Sequence, residues 1–203
     1  MFPEFSAEMN HHFHEEIEQD IDRYRLLKLA GLLHYYEKSF PEKKGKDVIE
    51  KTAKRFKLSK RAKKMLGRII ENHLRVFKLF QMEKINPRVY FRLFQDLGPE
   101  GIDVLVLSWA DFIASSPDRF EGLLDLNFRD FNNNLISYYF KNYLATSPQP
   151  LISGRDIIDE FGLQEGKVIG DLLRQAAEAE AEGLLSSREE AMLYIENLLK
   201  QIV

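Results

Sequence analysis

Residues 153–190 read SGRDIIDEFGLQEGKVIGDLLRQAAEAEAEGLLSSREE, and the punctuation of this stretch decides the fold class. Ser153 followed three residues later by Asp156 is a capping-box pattern. In such a box a hydroxyl and a carboxylate each accept a backbone N–H that the first helical turn leaves over. Gly162 stands where that helix would close through a left-handed residue. Gly166 and Lys167 introduce a second helix, whose apolar positions Val168, Ile169, Leu172, Leu173 and Ala176 keep helical spacing until Gly183. Ser186 and Glu189 repeat the capping pattern before Ala191, Met192, Ile195 and Leu198. Three short helices in succession are predicted.

Working outward, the remainder agrees with an all-α protein. The chain has 203 residues, enough for one large domain or two small ones with a sizeable core. It is 44% hydrophobic and 30% charged, ordinary proportions for a globular protein. Glycine and proline are sparse and β-branched runs are rare. No apolar run approaches the roughly 18 residues that would span a bilayer, and the N-terminus lacks the basic-then-apolar order of a signal peptide. The absence of cysteine removes disulfides and thiolate metal sites, which fits a reducing cytoplasm.

Along the chain, Leu26, Leu27, Leu29, Ala30, Leu32 and Leu33 mark a first helix after a histidine-rich opening. A second is predicted over 46–58, with Val48, Ile49, Ala53 and Phe56 inward. Ser59 caps a third, whose stripe is Ala62, Met65, Leu66, Ile69, Ile70, Leu74 and Phe77. Asn86-Pro87 starts a helix ending at Gly98. The segment 101–114 is apolar nearly all round except Asp103 and Asp111, as befits a core helix. One long helix is predicted over 120–144. Ser147-Pro148-Gln149-Pro150 is the best linker, dividing a helical body at 1–146 from a helical tail at 151–203.

The formal net charge of −3 conceals a segregation. Within 43–78 there are 14 Lys or Arg against Asp47, Glu50 and Glu71, a local net of +11 that leaves −14 elsewhere. On the third helix Lys60, Lys64, Arg68, Arg75 and Lys78 share the side opposite the apolar stripe; on the second, Lys51, Lys54, Arg55 and Lys57 point mostly outward. A basic face of this kind suits a polyanion. A solvated face and a face that meets an acidic protein are the other readings.

The word order of 153–191, together with Arg25 to His34 (RLLKLAGLLH), Asn72-His73-Leu74, Glu100-Gly101-Ile102-Asp103 and Ser108-Trp109-Ala110-Asp111, resembles the C-terminal half of bacterial tRNA nucleotidyltransferases (CCA-adding enzymes) and their poly(A) polymerase relatives. Phe2-Pro3-Glu4 and His11-His12-Phe13 extend the likeness. Glu165 replaces the proline usual in the family's Phe-Gly-Leu-x-Pro-Gly. The resemblance implies that body and tail grip tRNA or another structured RNA. It also implies that a polymerase head, expected to lie outside this sequence, supplies the Mg²⁺-dependent chemistry.

Asp20-Ile21-Asp22 has the Asp-x-Asp spacing of a two-metal pair, since alternate residues of a strand share a face, but helical surroundings are predicted for it. His34, His73 and Asp111 stand at positions of a degenerate HD-type phosphohydrolase motif, with Tyr35 in place of the essential aspartate; such a remnant hydrolase is the alternative reading. A core role is expected for His73, and Asp111 is expected to accept hydrogen bonds or pair with an arginine. The group His11, His12, His14 and Glu15 is read as a solvated opening. Tyr138, Tyr139 and Tyr143 could stack bases, but helical spacing favours core packing for at least two of them. No catalytic or metal-ligating residue is therefore assigned, and no membrane partner. The RNA-contacting candidates are Lys60, Lys64, Arg68 and Arg75, then Lys54 and Arg55. Arg155 and Lys167 complete the set, because they lie near helix starts where exposed amides also favour anions.

Overall fold

The computed structural model describes residues 3–39, 42–82, 85–115, 123–144 and 150–202. Most of the expected linker (147–149), Phe2, and the start of the helix predicted at 120 lie outside them. The chain is all-α: α1 (Ser6–Phe13), α2 (Arg23–Ser39), α3 (Glu42–Phe56), α4 (Lys60–Phe80), α5 (Pro87–Leu97), α6 (Gly101–Ala114), α7 (Leu123–Tyr138), α8 (Gly154–Phe161), α9 (Lys167–Ala181) and α10 (Arg188–Ile202). A short antiparallel hairpin, β1 (Glu16–Glu18) with β2 (Ile21–Asp22), precedes α2. Two compact units result, Met1–Glu83 with Leu97–Ser137, and Lys84–Asp96 with Tyr138–Val203. This division differs from the 1–146 and 151–203 reading in where 84–96 and 138–146 fall.

In the first unit α2, α4 and α6 pack against one another. Leu26, Leu27 and Ala30 of α2 are buried, as are Met65, Leu66, Ile69 and Ile70 of α4 and Ile102, Val104, Leu105 and Leu107 of α6. The buried face of α4 keeps its direction to the C-terminal end. His73 and Val76 are buried on it, while Leu74, about 120° from its centre at 100° per residue, is exposed. Phe77 and Phe80 then join Phe112 and Phe128 in an aromatic cluster, with Phe112 and Phe128 centroids 4.4 Å apart.

A buried ion network ties the N-terminal segment to this core. Arg23, 2% exposed, donates from Nη1 to Asp103 Oδ2 at 2.8 Å and from Nε to Glu15 Oε2 at 2.6 Å. His12 Nε2 lies 3.0 Å from the same Asp103 oxygen. Burial alone would lower the Arg23 pKa, but Asp103 and Glu15 outweigh it and raise it.

The second unit has its own core of Ile152, Ile157, Ile169, Leu172, Ala176, Ala179, Leu185, Ala191 and Ile195. The α8 capping box forms as expected, with Asp156 N–H donating to Ser153 Oγ at 3.2 Å and Ser153 N–H to Asp156 Oδ2 at 2.7 Å. Gly162 closes the helix at φ 67°. The predicted cap of α10 is one residue early: Glu190 N–H donates to Ser187 Oγ, and Glu190 Oε2 accepts from Ser186 N–H. Ser187, which lies three residues before Glu190, is therefore the cap. Arg92 of α5 forms a two-pronged pair with Glu178 of α9, which is 1% exposed, and Arg88 lies 3.5 Å from the same carboxylate. This pairing holds 84–96 to the second unit. The helix predicted through 144 continues from α7 as a π-helical turn, Tyr139–Tyr143.

Candidate nucleic-acid interface

The site is built on the junction of α3 and α4. Helix α3 ends in a six-residue closing motif: Leu58 N–H donates to Ala53 O at 2.9 Å and Lys57 N–H to Lys54 O at 3.3 Å, with Lys57 left-handed at φ 55°. The chain then turns directly into α4, where Ser59 Oγ accepts Ala62 N–H at 3.1 Å. Glu18 Oε2 accepts Ser59 N–H at 2.9 Å, placing a carboxylate at the positive end of the α4 dipole. The result is a tight elbow whose sequence, KRFKLSK from Lys54 to Lys60, has four basic residues among seven and no acidic one.

Phe56 is where sequence and structure part. Helical spacing places it inward with Ala53, yet it is 60% exposed. The closing motif explains this: past Phe56 the backbone reverses through Lys57, so Leu58, half-buried, turns inward at the end of α3. Around Phe56, Lys54, Arg55, Lys57 and Lys60 are exposed, and among the described residues no carboxylate pairs with them. Lys64 is exposed and unpaired in the same sense.

The other expected contacts divide. At 100° per residue, Lys60, Lys64, Arg68, Arg75 and Lys78 fall within about 80° of arc on α4. Arg68 turns back to donate to Glu100 Oε2 at 3.0 Å and Leu97 O at 3.3 Å. Arg75 is half-buried and has an interaction within the chain. Glu71 sits in the middle of this arc. Lys63 pairs with Glu50 at 2.9 Å and Arg61 with Glu15 at 2.9 Å. Burial raises the Glu15 pKa, but the guanidiniums of Arg23 and Arg61 outweigh it and hold the group below the usual carboxylate range. Between α3 and α4 runs an open groove of about 470 Å³ lined by Glu50, Lys63, Lys64, Gly67, Arg68 and Glu71, so its two signs of charge alternate. The free cations concentrate at the elbow end.

In the second unit Arg155 has its side chain 88% exposed, with Nε 3.8 Å from Asp159 Oδ2. Lys167 is the first residue of α9, whose N-cap Gly166 provides no side-chain cap. Gly154, Arg155, Asp159, Glu165 and Gly166 line an open pocket of about 440 Å³. Asp159 and Glu165 make that pocket less suited to an anion than the elbow.

The remaining candidates find structural roles. Asp20-Ile21-Asp22 departs from the helical surroundings expected for it: Asp20 is the hairpin turn at φ 64°, and Asp22 accepts Arg25 N–H at 2.8 Å at the start of α2. Asp20 thus makes the turn and the Asp22 carboxylate is committed to the start of α2, an arrangement that does not fit a Mg²⁺ pair. His73 is buried and donates from Nδ1 to Ile70 O at 2.6 Å. Its Nε2 lies 3.7 Å from Asp111 Oδ2, while His34 Nε2 lies 3.1 Å from Asp111 Oδ1. Asp111 thus accepts hydrogen bonds, one of the two expected roles, with His34 and Ser115 as partners, and Arg23 pairs with the other acid of α6, Asp103. Among the described residues no group of three or more His, Asp or Glu is arranged to hold a metal ion. Tyr138 and Tyr143 pack around Phe94, with Tyr139 buried beside them. Burial raises the Tyr138 and Tyr143 phenols above their ordinary value. No helix of the described residues is long and apolar enough to cross a membrane.

Comparison with known proteins places part of the chain beside two enzymes. It is 35% identical over 75 residues to a CC-adding tRNA nucleotidyltransferase of Synechocystis sp., covering 36% of this chain and 18% of that protein. It is 40% identical over 47 residues to a CC-adding tRNA nucleotidyltransferase of Thermus thermophilus, covering 23% of this chain and 11% of the relative. The matched stretches thus span less than a fifth of either relative. No protein-family model matches, and no solved structure matches.

Proposed function

We propose that this chain is an RNA-binding region of a tRNA nucleotidyltransferase-like or poly(A) polymerase-like protein, acting in the cytoplasm on tRNA or another structured RNA. The observation that carries the reading is the elbow of Lys54, Arg55, Lys57, Lys60 and Lys64, five cations that no described carboxylate neutralises. The partial similarity to CC-adding tRNA nucleotidyltransferases supports tRNA as the substrate class. Phosphate neutralisation gives affinity with little sequence discrimination, as a surface that reads the shape of a folded RNA requires. Arg68 is held by Glu100 and the Leu97 carbonyl, and Arg75, Arg155 and Lys167 are secondary contacts. Nucleotidyl transfer and the Mg²⁺ it uses belong to a polymerase head, and the residues described here bind.

The test compares three ligands with one protein. Fluorescence anisotropy is expected to show tRNA binding that weakens with added salt, with polyglutamate unbound at the same concentrations. Binding of polyglutamate in preference to tRNA overturns the reading in favour of an acidic protein partner. Metal-dependent hydrolysis of 2′,3′-cyclic nucleotides would instead favour the phosphohydrolase reading, which His34, His73 and Asp111 suggest by residue type although they are not arranged to hold a metal ion.

A further inference from the structure

Phe56 is the feature that phosphate binding leaves unexplained. A phenylalanine at the last turn of an amphipathic helix ordinarily completes the buried face, and Ala53, one turn earlier, does so here. Phe56 is instead 60% exposed. It sits between Arg55 and Lys57, with Lys54 and Lys60 beside it in the sequence of the elbow.

The backbone that presents it is held in place. Two closing hydrogen bonds end α3, the Ser59 cap begins α4, and Glu18 fastens the turn from outside. Lys57 takes the left-handed position of the motif, which disfavours side chains other than glycine. The same motif ends α9, where Leu184 N–H donates to Ala179 O and Gly183 N–H to Glu180 O, and there glycine fills the left-handed position at φ 75°. At the elbow a cation stands in that position instead. A strained residue and an exposed ring at one turn point to a ligand with two chemistries, anionic and flat.

We propose that Phe56 is a stacking platform for an unpaired nucleobase of the RNA, with Lys54, Arg55, Lys57 and Lys60 holding the phosphates on either side of that base. The proposal rests on the RNA-binding reading above and deepens it. Charge complementarity selects the occupant: a nonpolar protein surface would leave four cations desolvated without counter-charge. A paired duplex offers phosphates and no free base face. A single-stranded extension or bulge offers both, and an exposed aromatic among cations is how base-tolerant single-strand sites are built.

The experiment uses the full chain and two synthetic RNAs, a blunt two-stranded duplex and the same duplex with a short 3′ single-stranded extension. Wild type is expected to prefer the extended RNA. Phe56→Ala, an exposed substitution checked by circular dichroism, is expected to lose roughly 5- to 150-fold in affinity for the extended RNA. The same variant should be nearly unchanged on the blunt duplex and retain the salt dependence. Phe56→Trp should restore binding, and its indole fluorescence should be quenched by the extended RNA alone; excitation is corrected with Trp109→Phe in both backgrounds. Equal affinity of wild type and Phe56→Ala for the extended RNA overturns the proposal while leaving RNA binding intact. Equal losses on both RNAs overturn it too, since the ring would then serve the shape of the elbow. If wild type binds neither RNA, this inference and the functional reading fall together.

Discussion

At the scale of single residues, two positions carry opposite lessons. Lys57 accepts a left-handed backbone in exchange for a cation at the elbow. Lys57→Gly should therefore raise stability by about 1 kcal/mol and weaken RNA binding, read as a higher urea midpoint with a larger Kd. Arg23 has the reverse character, because it is buried against Asp103. Arg23→Ala would leave that carboxylate without its charge partner and should cost about 3–5 kcal/mol. The midpoint is followed through Trp109, the chain's single tryptophan, which packs on Phe128 in the first unit. The sequence marks Asp103 as polar on an apolar helix but gives no sign of its partner, because the pair closes across 80 residues. Phe56 is hidden for a related reason. Periodicity assigns a face only while the helix continues, and the reversal at Lys57 comes immediately after it.

At the scale of elements, what is local is legible. The Ser153–Asp156 box and the left-handed Gly162 are readable because capping involves residues three or four apart. The same locality misplaces the α10 cap by one residue, since Ser186 and Ser187 are both plausible and only the reach of Glu190 distinguishes them. The 16–22 hairpin escapes notice because its turn is made by Asp20 in place of glycine, and its strands are too short for alternation. Asp156 yields a pH prediction. Ser153 and Arg188 hold its carboxyl far below the ordinary aspartate value. A depressed folded-state pKa stabilises above the unfolded value of about 4 and loses that contribution as pH falls through the folded value. Asp156→Asn should thus melt below wild type at pH 7, with the gap closing as the solution is acidified. A gap independent of pH would assign the loss to the helix start and not to the charge.

At the scale of the whole molecule, the charge count is legible from the sequence and its distribution only partly so. The basic block 43–78 is plain from composition. Folding then consumes Arg61, Lys63 and Arg68 in pairs with Glu15, Glu50 and Glu100, and sets Glu71 within the basic arc of α4. These pairings are long-range and leave no trace in local spacing. What survives is a compact cluster at one elbow, smaller than the face that α4 alone suggests. The account therefore stands on the electrostatics of that cluster. Its most direct test is the salt dependence of tRNA affinity for wild type and for the triple reversal Lys54→Glu, Lys60→Glu, Lys64→Glu, with helicity matched by circular dichroism. The account predicts that log affinity falls linearly with log salt for wild type, by roughly 0.7–0.9 per phosphate contacted. In the reversed protein affinity should drop steeply and the slope should flatten by about 2–3 units. Identical affinity and identical slope in the two proteins would contradict it.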